Sequence, residues 1–412
     1  MSLKGFIFSF LWIASLLSIG SVFRFSMFDE LLCIFVLFCA LKQGFWRSRK
    51  LVILIIYVLL HLVISVIYGY NGNKAILLDA LMYAKPFVCA LACGSGYFVL
   101  KSKDNNVLNV MIFFLLSIFF LDSIAAWMIG ARNVASRPPF WFTTNCTLAG
   151  TTSLMMLFYM FTSKGLDKTI PQKYYMYAIL IMTVLVTMQG KYFGFAFSFF
   201  LLKFFSEKIL PSLQSERSVK RISYKFISLL MLLFGICGVL FLALDDLNAY
   251  YLTDNQDVAR VMMVRSLPKV LDGVYFFTGR GFGAFCSPVT SVYYPAGFMK
   301  EIGLSGVYGL SQSYSNLMSD GYLWSFAGCF GLIGVFLYAA FIIYMFNPFV
   351  KLWKNRILPA KLGFACLVCF SWVVIFSFGS GLMFGYGCFV MLLWGMLRWQ
   401  AVQILKQETA TA

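Results

Sequence analysis

Apolar runs close to the ~20 residues that an α-helix needs to cross a hydrocarbon core recur along almost the whole of this chain. Hydrocarbon offers a backbone no partner, so runs of this length are stable there as helices, whose amides and carbonyls pair within the segment. That confines the chain to one fold class, an all-α polytopic integral membrane protein. About 12 transmembrane helices are expected, at roughly 5–23, 28–41, 51–68, 82–100, 107–130, 147–163, 174–189, 192–206, 226–244, 322–345, 363–379 and 383–397. The first run, after Lys4, lacks a small-residue cleavage site and is expected to stay in place as a helix. Of 412 residues, 61% are hydrophobic and 12% charged, far from soluble composition.

The net charge of +17, from 33 Lys and Arg against 16 Asp and Glu, would suggest nucleic acid in a soluble protein. Here the excess lies mostly in short loops, the topological bias of cytoplasmic connections, and nucleic acid is not expected as a partner. Lys42, Arg47, Arg49 and Lys50 form one such group; Lys101 and Lys103, then Lys164, Lys168 and Lys173, form others. Lys203 to Lys225, with Arg217, Lys220 and Arg221, and finally Lys351, Lys354, Arg356 and Lys361 complete the set. All fall on one side if the N-terminus is cytoplasmic, which puts both termini there. Of the 11 cysteines most lie inside apolar runs and read as small hydrophobes, including the Cys366-x-x-Cys369 pair. Cys146 and Cys286 lie outside or at the edge of spans, where a disulfide between them is conceivable without support from spacing.

The chain therefore divides into helices 1–244, a long hydrophilic segment 245–320 on the non-cytoplasmic side, and helices with a cytoplasmic tail at 321–412. The segment carries Arg260, Arg265, Lys269, Arg280 and Lys300 on the side where basic residues are normally scarce. Asp257 to Leu271 has helical spacing, with Arg260 on the face of Met263, Val264, Leu267 and Leu271, and Arg265 and Lys269 opposite. A charge on an apolar stripe is costly unless it is paired or meets an anion. Pairing with Asp257, one turn earlier, is the bland alternative to an anion contact. Gly279, Gly281 and Gly283 alternate around Arg280 and Phe282; positive dihedrals there would let amides and Arg280 approach an anionic ligand, while an ordinary turn is the plainer reading of the motif taken alone. No Lys-Ser/Thr follows, so this is not a P-loop, and no strand–helix unit makes it a dinucleotide turn.

Other candidates are scattered. Arg132 and Arg137 precede Pro138, Pro139, Phe140 and Trp141, a mixture suited to phosphate and sugar or, more plainly, to interfacial anchoring. Lys191 sits in a short turn where it either snorkels or faces an anion. Among acidic groups, Asp257, Asp272, Glu301 and Asp320 belong to the segment; Asp320 opens a span, where it caps the helix or accepts a proton from a hydroxyl. His61 is expected to be a packed, hydrogen-bonded imidazole, while Asp79, Lys85 and Asp122 are charges near or within spans that ask for partners. No metal-ligand spacing stands out.

In order and placement these features resemble the bacterial O-antigen polymerase and ligase superfamily. The pieces are Arg260, the helix and run to Thr278, the Gly279-Gly281-Gly283 turn, a variable stretch, then Asp320 opening a span with Gly331-Leu332-Ile333-Gly334. The likeness at residue level covers about 256–335. Ligases of the family usually carry His-Asn where Asp320-Gly321 stands, and a tryptophan often stands where Val264 does; the difference favours a polymerase. The resemblance implies glycosyl transfer without a cofactor or metal at the outer face of the bacterial inner membrane. The substrate would be an undecaprenyl-pyrophosphate-linked oligosaccharide, with a chain-length-determining copolymerase and a flippase as partners beside the membrane lipids. It further implies Arg260 as the leading catalytic residue and Asp320 or Glu301 as base. Arg132, Arg137, Lys191, Arg265, Arg280 and the three glycines would contact substrate. A transporter would instead place its charged and broken positions inside the spans. A docking subunit would leave the segment standing free. An enzyme is expected to fold the segment back over a cavity between spans.

Overall fold

The computed structural model describes residues 2–19, 27–131, 138–139, 142, 144–162, 170–187, 190–209, 259–315, 317–318, 321–379 and 382–411. The described residues are mostly helical, and their β-type pairing is limited to an isolated bridge between Ser311 and Tyr314. In chain order the helices are α1 (Leu3–Ile19), α2 (Phe28–Lys42), α3 (Arg49–Tyr68), α4 (Asn73–Gly94), α5 (Ser102–Met128), α6 (Asn145–Thr162), α7 (Ile170–Thr187) and α8 (Gly190–Phe204). Four short helices follow, α9 (Ala259–Val270), α10 (Tyr275–Thr278), α11 (Pro288–Val292) and α12 (Ala296–Glu301); then come α13 (Tyr322–Lys354), α14 (Ala360–Gly379) and α15 (Leu382–Thr411). Among the described residues six helices, α3, α4, α5, α13, α14 and α15, are long and apolar enough to cross a membrane, with three shorter apolar helices beside them. This is a membrane-embedded helical protein. The ninth expected span, 226–244, lies outside the described residues.

The helices α4 and α15 form the centre. Their contact is made by small residues, as in helix pairs that gain no hydrophobic drive from the surrounding lipid. A Cβ on Gly395 would stand 2.7 Å from Ala90 O and 3.0 Å from Cys93 Cβ. Arg398 closes the same seam: its Nη1 donates to Gly94 O at the end of α4, its Nε donates to Tyr344 O at 3.1 Å, and its guanidinium lies 3.8 Å over the Tyr344 ring. Around this pair the side chains are large and buried, Trp12 against Phe158 and Phe389, and Trp394 against Phe346 and Phe370. At the rim, α3 keeps Ile53, Ile56, Leu60, Val63 and Ile67 exposed, an apolar face turned outward as lipid requires.

Three elements differ from the expectation. First, α4 starts at Asn73, nine positions before the expected start of its span, because Asp79, which lowers the hydropathy there, is fully buried and hydrogen-bonded. Second, α15 runs on through Thr411. Third, α13 is longer than expected and is two helices in line: Gly331 has φ 58° and ψ −161°, a region open essentially to glycine alone.

Charged residues in spans find partners locally. Lys85 of α4 donates to Asp29 at 2.5 Å and Glu30 at 2.7 Å, both in the first turn of α2. Asp79 is served by a backbone amide described below. Cys286 is a buried free thiol, so no disulfide joins it to Cys146; Cys366 and Cys369 are free and buried in α14.

Candidate functional site

The glycine turn after α10 is the feature that ties the 259–318 segment to the spans. Gly279, Gly281 and Gly283 have φ of 68°, 85° and 72°, where side chains carrying a Cβ are disfavoured. Their second role is close approach. A Cβ on Gly279 would lie 2.3 Å from Cys329 O, one on Gly281 2.4 Å from Ser65 Oγ, and one on Gly331 2.5 Å from Gly279 N. The two glycine motifs singled out in the sequence thus face each other.

Every amide of the turn is taken. Gly279 N donates to Tyr275 O at 2.8 Å, Arg280 N to Gly328 O at 2.9 Å and Gly281 N to Cys329 O at 2.9 Å. Phe282 N donates to Ser65 Oγ and Gly283 N to Asp79 Oδ2, each at 2.7 Å. The carbonyls of Gly328 and Cys329 are free to accept because α13 breaks at Gly331; an unbroken helix would have given them to the amides four residues on. The expected anion cradle is therefore corrected. These amides bind the protein's own spans and leave no cluster of donors for a ligand.

Depth explains why the pairing is complete. Thr278 O lies 3.1 Å from His61 Nε2, whose N–H is the donor, and His61 is seven residues, about 10 Å at ~1.5 Å per residue, below the end of α3. Irregular backbone is tolerated at such depth only when it is buried in protein and satisfied. Residues 279–287 are buried without a break. His61, 2% exposed, is the packed and hydrogen-bonded imidazole that was expected, with Tyr57 OH at 3.4 Å.

Arg280 does not reach outward. It is 5% exposed and turns back to the C-terminus of α9, where Nε donates to Val270 O at 2.7 Å and Nη2 to Lys269 O at 3.0 Å. Nη1 donates to Tyr70 OH, and the guanidinium lies 3.5 Å over the Tyr275 ring. A cation on the last carbonyls of a helix stabilises its end. The expectation of a substrate contact is thus corrected too: Arg280 fixes α9 against the turn. Burial, reinforced by Tyr275, pushes the Tyr70 hydroxyl up to about 12 while Arg280 pulls the other way, so Tyr70 keeps its proton under ordinary conditions. Asn71 completes the attachment, with Nδ2 donating to Gly283 O at 3.1 Å and Tyr293 O at 2.5 Å.

Beyond the turn, Ser287 starts α11 with a capping box: Ser287 N donates to Thr290 Oγ1 at 2.8 Å, Thr290 N returns to Ser287 Oγ at 3.3 Å, and Pro288 occupies the first helical position. In α9 the most buried stripe is Ala259, Met263, Ser266 and Val270, rotated from the expected one; Leu267 and Leu271 are only partly covered. Small residues can face a close neighbour, and hydropathy alone does not register that. Arg265 and Lys269 are exposed, as expected, and so is Glu301 at the end of α12. Arg260 lies in the first turn of α9 and Lys191 in the first turn of α8, but their side chains fall outside the described residues, as do Arg132, Arg137, Asp257 and Asp320. The spans and their connections also contribute residues that sequence reasoning did not connect to the turn: Ser65 of α3, and Tyr70 and Asn71 between α3 and α4. Asp79 alone had a signal, a carboxylate in a helical run.

Beneath the turn lies a cavity of about 310 Å³ between α3, α4 and α13, with Phe282 of the turn in its wall beside Tyr57, Tyr83 and Phe330. Phe282 is the residue of the 259–318 segment that the described lining includes. Neither protein-family models nor curated proteins give a match to the chain.

Proposed function

We propose that this protein is a polymerase of a bacterial surface polysaccharide, transferring an undecaprenyl-pyrophosphate-linked glycan to the terminal hydroxyl of an incoming lipid-linked repeat unit. The observation that carries the reading is the seating of the glycine turn. It anchors the 259–318 segment to α3, α4 and α13, so α9 stands at a fixed height beside the spans, where a lipid-linked substrate would present its pyrophosphate. A subunit that merely recruits partners has no need of an attachment buried ~10 Å below the end of a span. The positive-inside bias favours the non-cytoplasmic side for the segment, within about 12 spans with both termini cytoplasmic, and the resemblance implies that this side is the periplasmic face of the inner membrane.

The chemistry asks for two things. The hydroxyl of the acceptor sugar gives its proton to a carboxylate, Asp320 or Glu301, while its oxygen bonds to the donor's anomeric carbon. The bond from that carbon to the pyrophosphate oxygen breaks, and the leaving group departs with the electron pair. Arg260 is the leading cation for that charge, since guanidinium stays ionised and binds oxyanions in pairs. Arg132, Arg137, Lys191 and Arg265 are further contacts to glycan or pyrophosphate, and Arg280 supports α9 from behind. A copolymerase that sets chain length and a flippase that delivers the substrate are the partners such a reaction needs.

The test is complementation of a gene-deleted strain with wild type, Arg260→Ala or Arg260→Lys, with the surface glycan resolved on a gel and protein abundance measured alongside. Arg260→Ala is expected to lower polymer by about a hundred-fold to a thousand-fold, the range for losing one preorganised electrostatic contact, and to leave single repeat units. Failure of Lys to restore it would indicate bidentate binding. Loss of the single-unit product on deletion would point to ligation or flipping instead.

A further inference from the structure

We propose that the groove between α3, α4 and α13 binds one acyl chain of an anionic phospholipid from the leaflet at the Lys50 end, with the phosphate held at Lys50. This is separate from the glycosyl transfer above and does not depend on it.

The groove is apolar along its length, with Leu54, Phe87, Leu337 and Phe341 in its walls, and Lys50 is the one charged residue among the described residues that line it. Ile53 and Leu337 on its two lips are exposed, so in a membrane it opens toward lipid. One end is shut by aromatic rings: Phe330 stands 5.1 Å from Phe282 and 4.9 Å from Tyr83, centroid to centroid. The other end is cationic. The Lys50 ammonium lies 4.2 Å over the Tyr344 ring, and the Arg398 guanidinium covers the same ring at 3.8 Å. Arg47 and Arg49 are exposed beside Lys50. Arg398 is buried with its donors on Gly94 O and Tyr344 O, so Lys50 is the cation the mouth presents, and an ammonium at an apolar slot whose described lining holds no carboxylate is complementary to a phosphate.

Length and polarity choose the occupant. From Tyr344 to Phe330 α13 rises roughly 21 Å at ~1.5 Å per residue, enough for a chain that fills one leaflet of a ~30 Å core. A phospholipid of that leaflet would put its phosphate on Lys50 and the end of its chain against the rings. A polyprenyl tail entering from the opposite face would put hydrocarbon on Lys50, a mismatch of polarity.

The experiment titrates the purified full chain in detergent with dioleoyl phosphatidylglycerol or dioleoyl phosphatidylcholine and counts retained lipid by native mass spectrometry. Wild type is expected to hold one phosphatidylglycerol at least ten-fold more tightly than phosphatidylcholine. Lys50→Gln should bring the two lipids level, and Ala340→Trp, which fills the groove, should abolish retention of both. Lys50 is exposed, so the glutamine variant decides the matter even if the tryptophan variant does not fold. Equal binding of the two lipids by wild type, or an unchanged ratio in Lys50→Gln, overturns the proposal. Displacement of phosphatidylglycerol by an equimolar polyprenyl phosphate overturns it in favour of a substrate tail.

Discussion

Gly279 and Gly331 each combine a backbone conformation essentially confined to glycine with a close neighbour, and together the two costs should exceed that of a positive-φ glycine in open space. Gly273 supplies the control, since its φ is 58° and a Cβ there would meet nothing within 4 Å. Gly273→Ala should cost roughly 1–2 kcal/mol, the strain of left-handed backbone alone. Gly279→Ala and Gly331→Ala should lose at least twice as much, because their ψ of −175° and −161° suits glycine alone and a Cβ would also stand 2.3 Å from Cys329 O or 2.5 Å from Gly279 N. Thermal unfolding of the detergent-solubilised variants measures both, and equal shifts at the three positions would show that the close approach does not bear on stability. The spacing of Gly279, Gly281 and Gly283 was legible in the sequence, and so was their positive φ, whereas the positive φ of Gly331 was not. Nor was the turn's purpose, because the acceptors for Arg280 N and Gly281 N are backbone carbonyls released by a break some forty-five residues further along the chain, which no side chain announces.

At the level of elements, the ion cluster between α2 and α4 makes the strongest prediction. Lys85 and Asp29 have side chains only 6% and 9% exposed, while Glu30 is at 33%. Removing one member of a buried pair leaves an uncompensated charge, at about 3–5 kcal/mol. Lys85→Met should therefore fail to accumulate as monodisperse protein by gel filtration. Lys85→Met combined with Asp29→Asn and Glu30→Gln should recover most of the loss; a triple variant no better than the single one would give the lysine a task beyond pairing. Most described spans follow the apolar runs to within a few residues, since length and hydropathy are what a hydrocarbon core selects. Of the larger departures, the early start of α4 and the break at Gly331 occur where buried polar or irregular backbone serves the docked turn, while the far ends of α13 and α15 simply run on past their apolar runs. Hydropathy counts such residues against a span, although the fold satisfies them. The candidate site was readable to the same depth: the arginine-bearing helix and the turn stood out, while Arg280, which looks identical to a ligand-binding arginine in sequence, is committed to α9's own carbonyls.

For the whole molecule, the turn and the Lys50 mouth lie at opposite ends of α3, so the two must face opposite sides of the membrane if α3 spans it. Fusions truncated after Gly297 should give active alkaline phosphatase and no fluorescence from green fluorescent protein, and fusions after Arg356 the reverse. The same side for both would dismantle the arrangement of spans proposed above. The break at Gly331 also sets a timetable. The turn leaves the ribosome before the carbonyls that receive Arg280 N and Gly281 N exist, and at ~5–20 residues per second the intervening stretch of roughly 45 residues takes about 2–9 seconds to make. Throughout that interval two amides destined for the membrane interior have no partner but water. The turn must wait at the surface until α13 arrives, so its insertion is a late event in biogenesis, and a nascent chain halted before Cys329 should expose the 259–318 segment to protease that the finished protein resists.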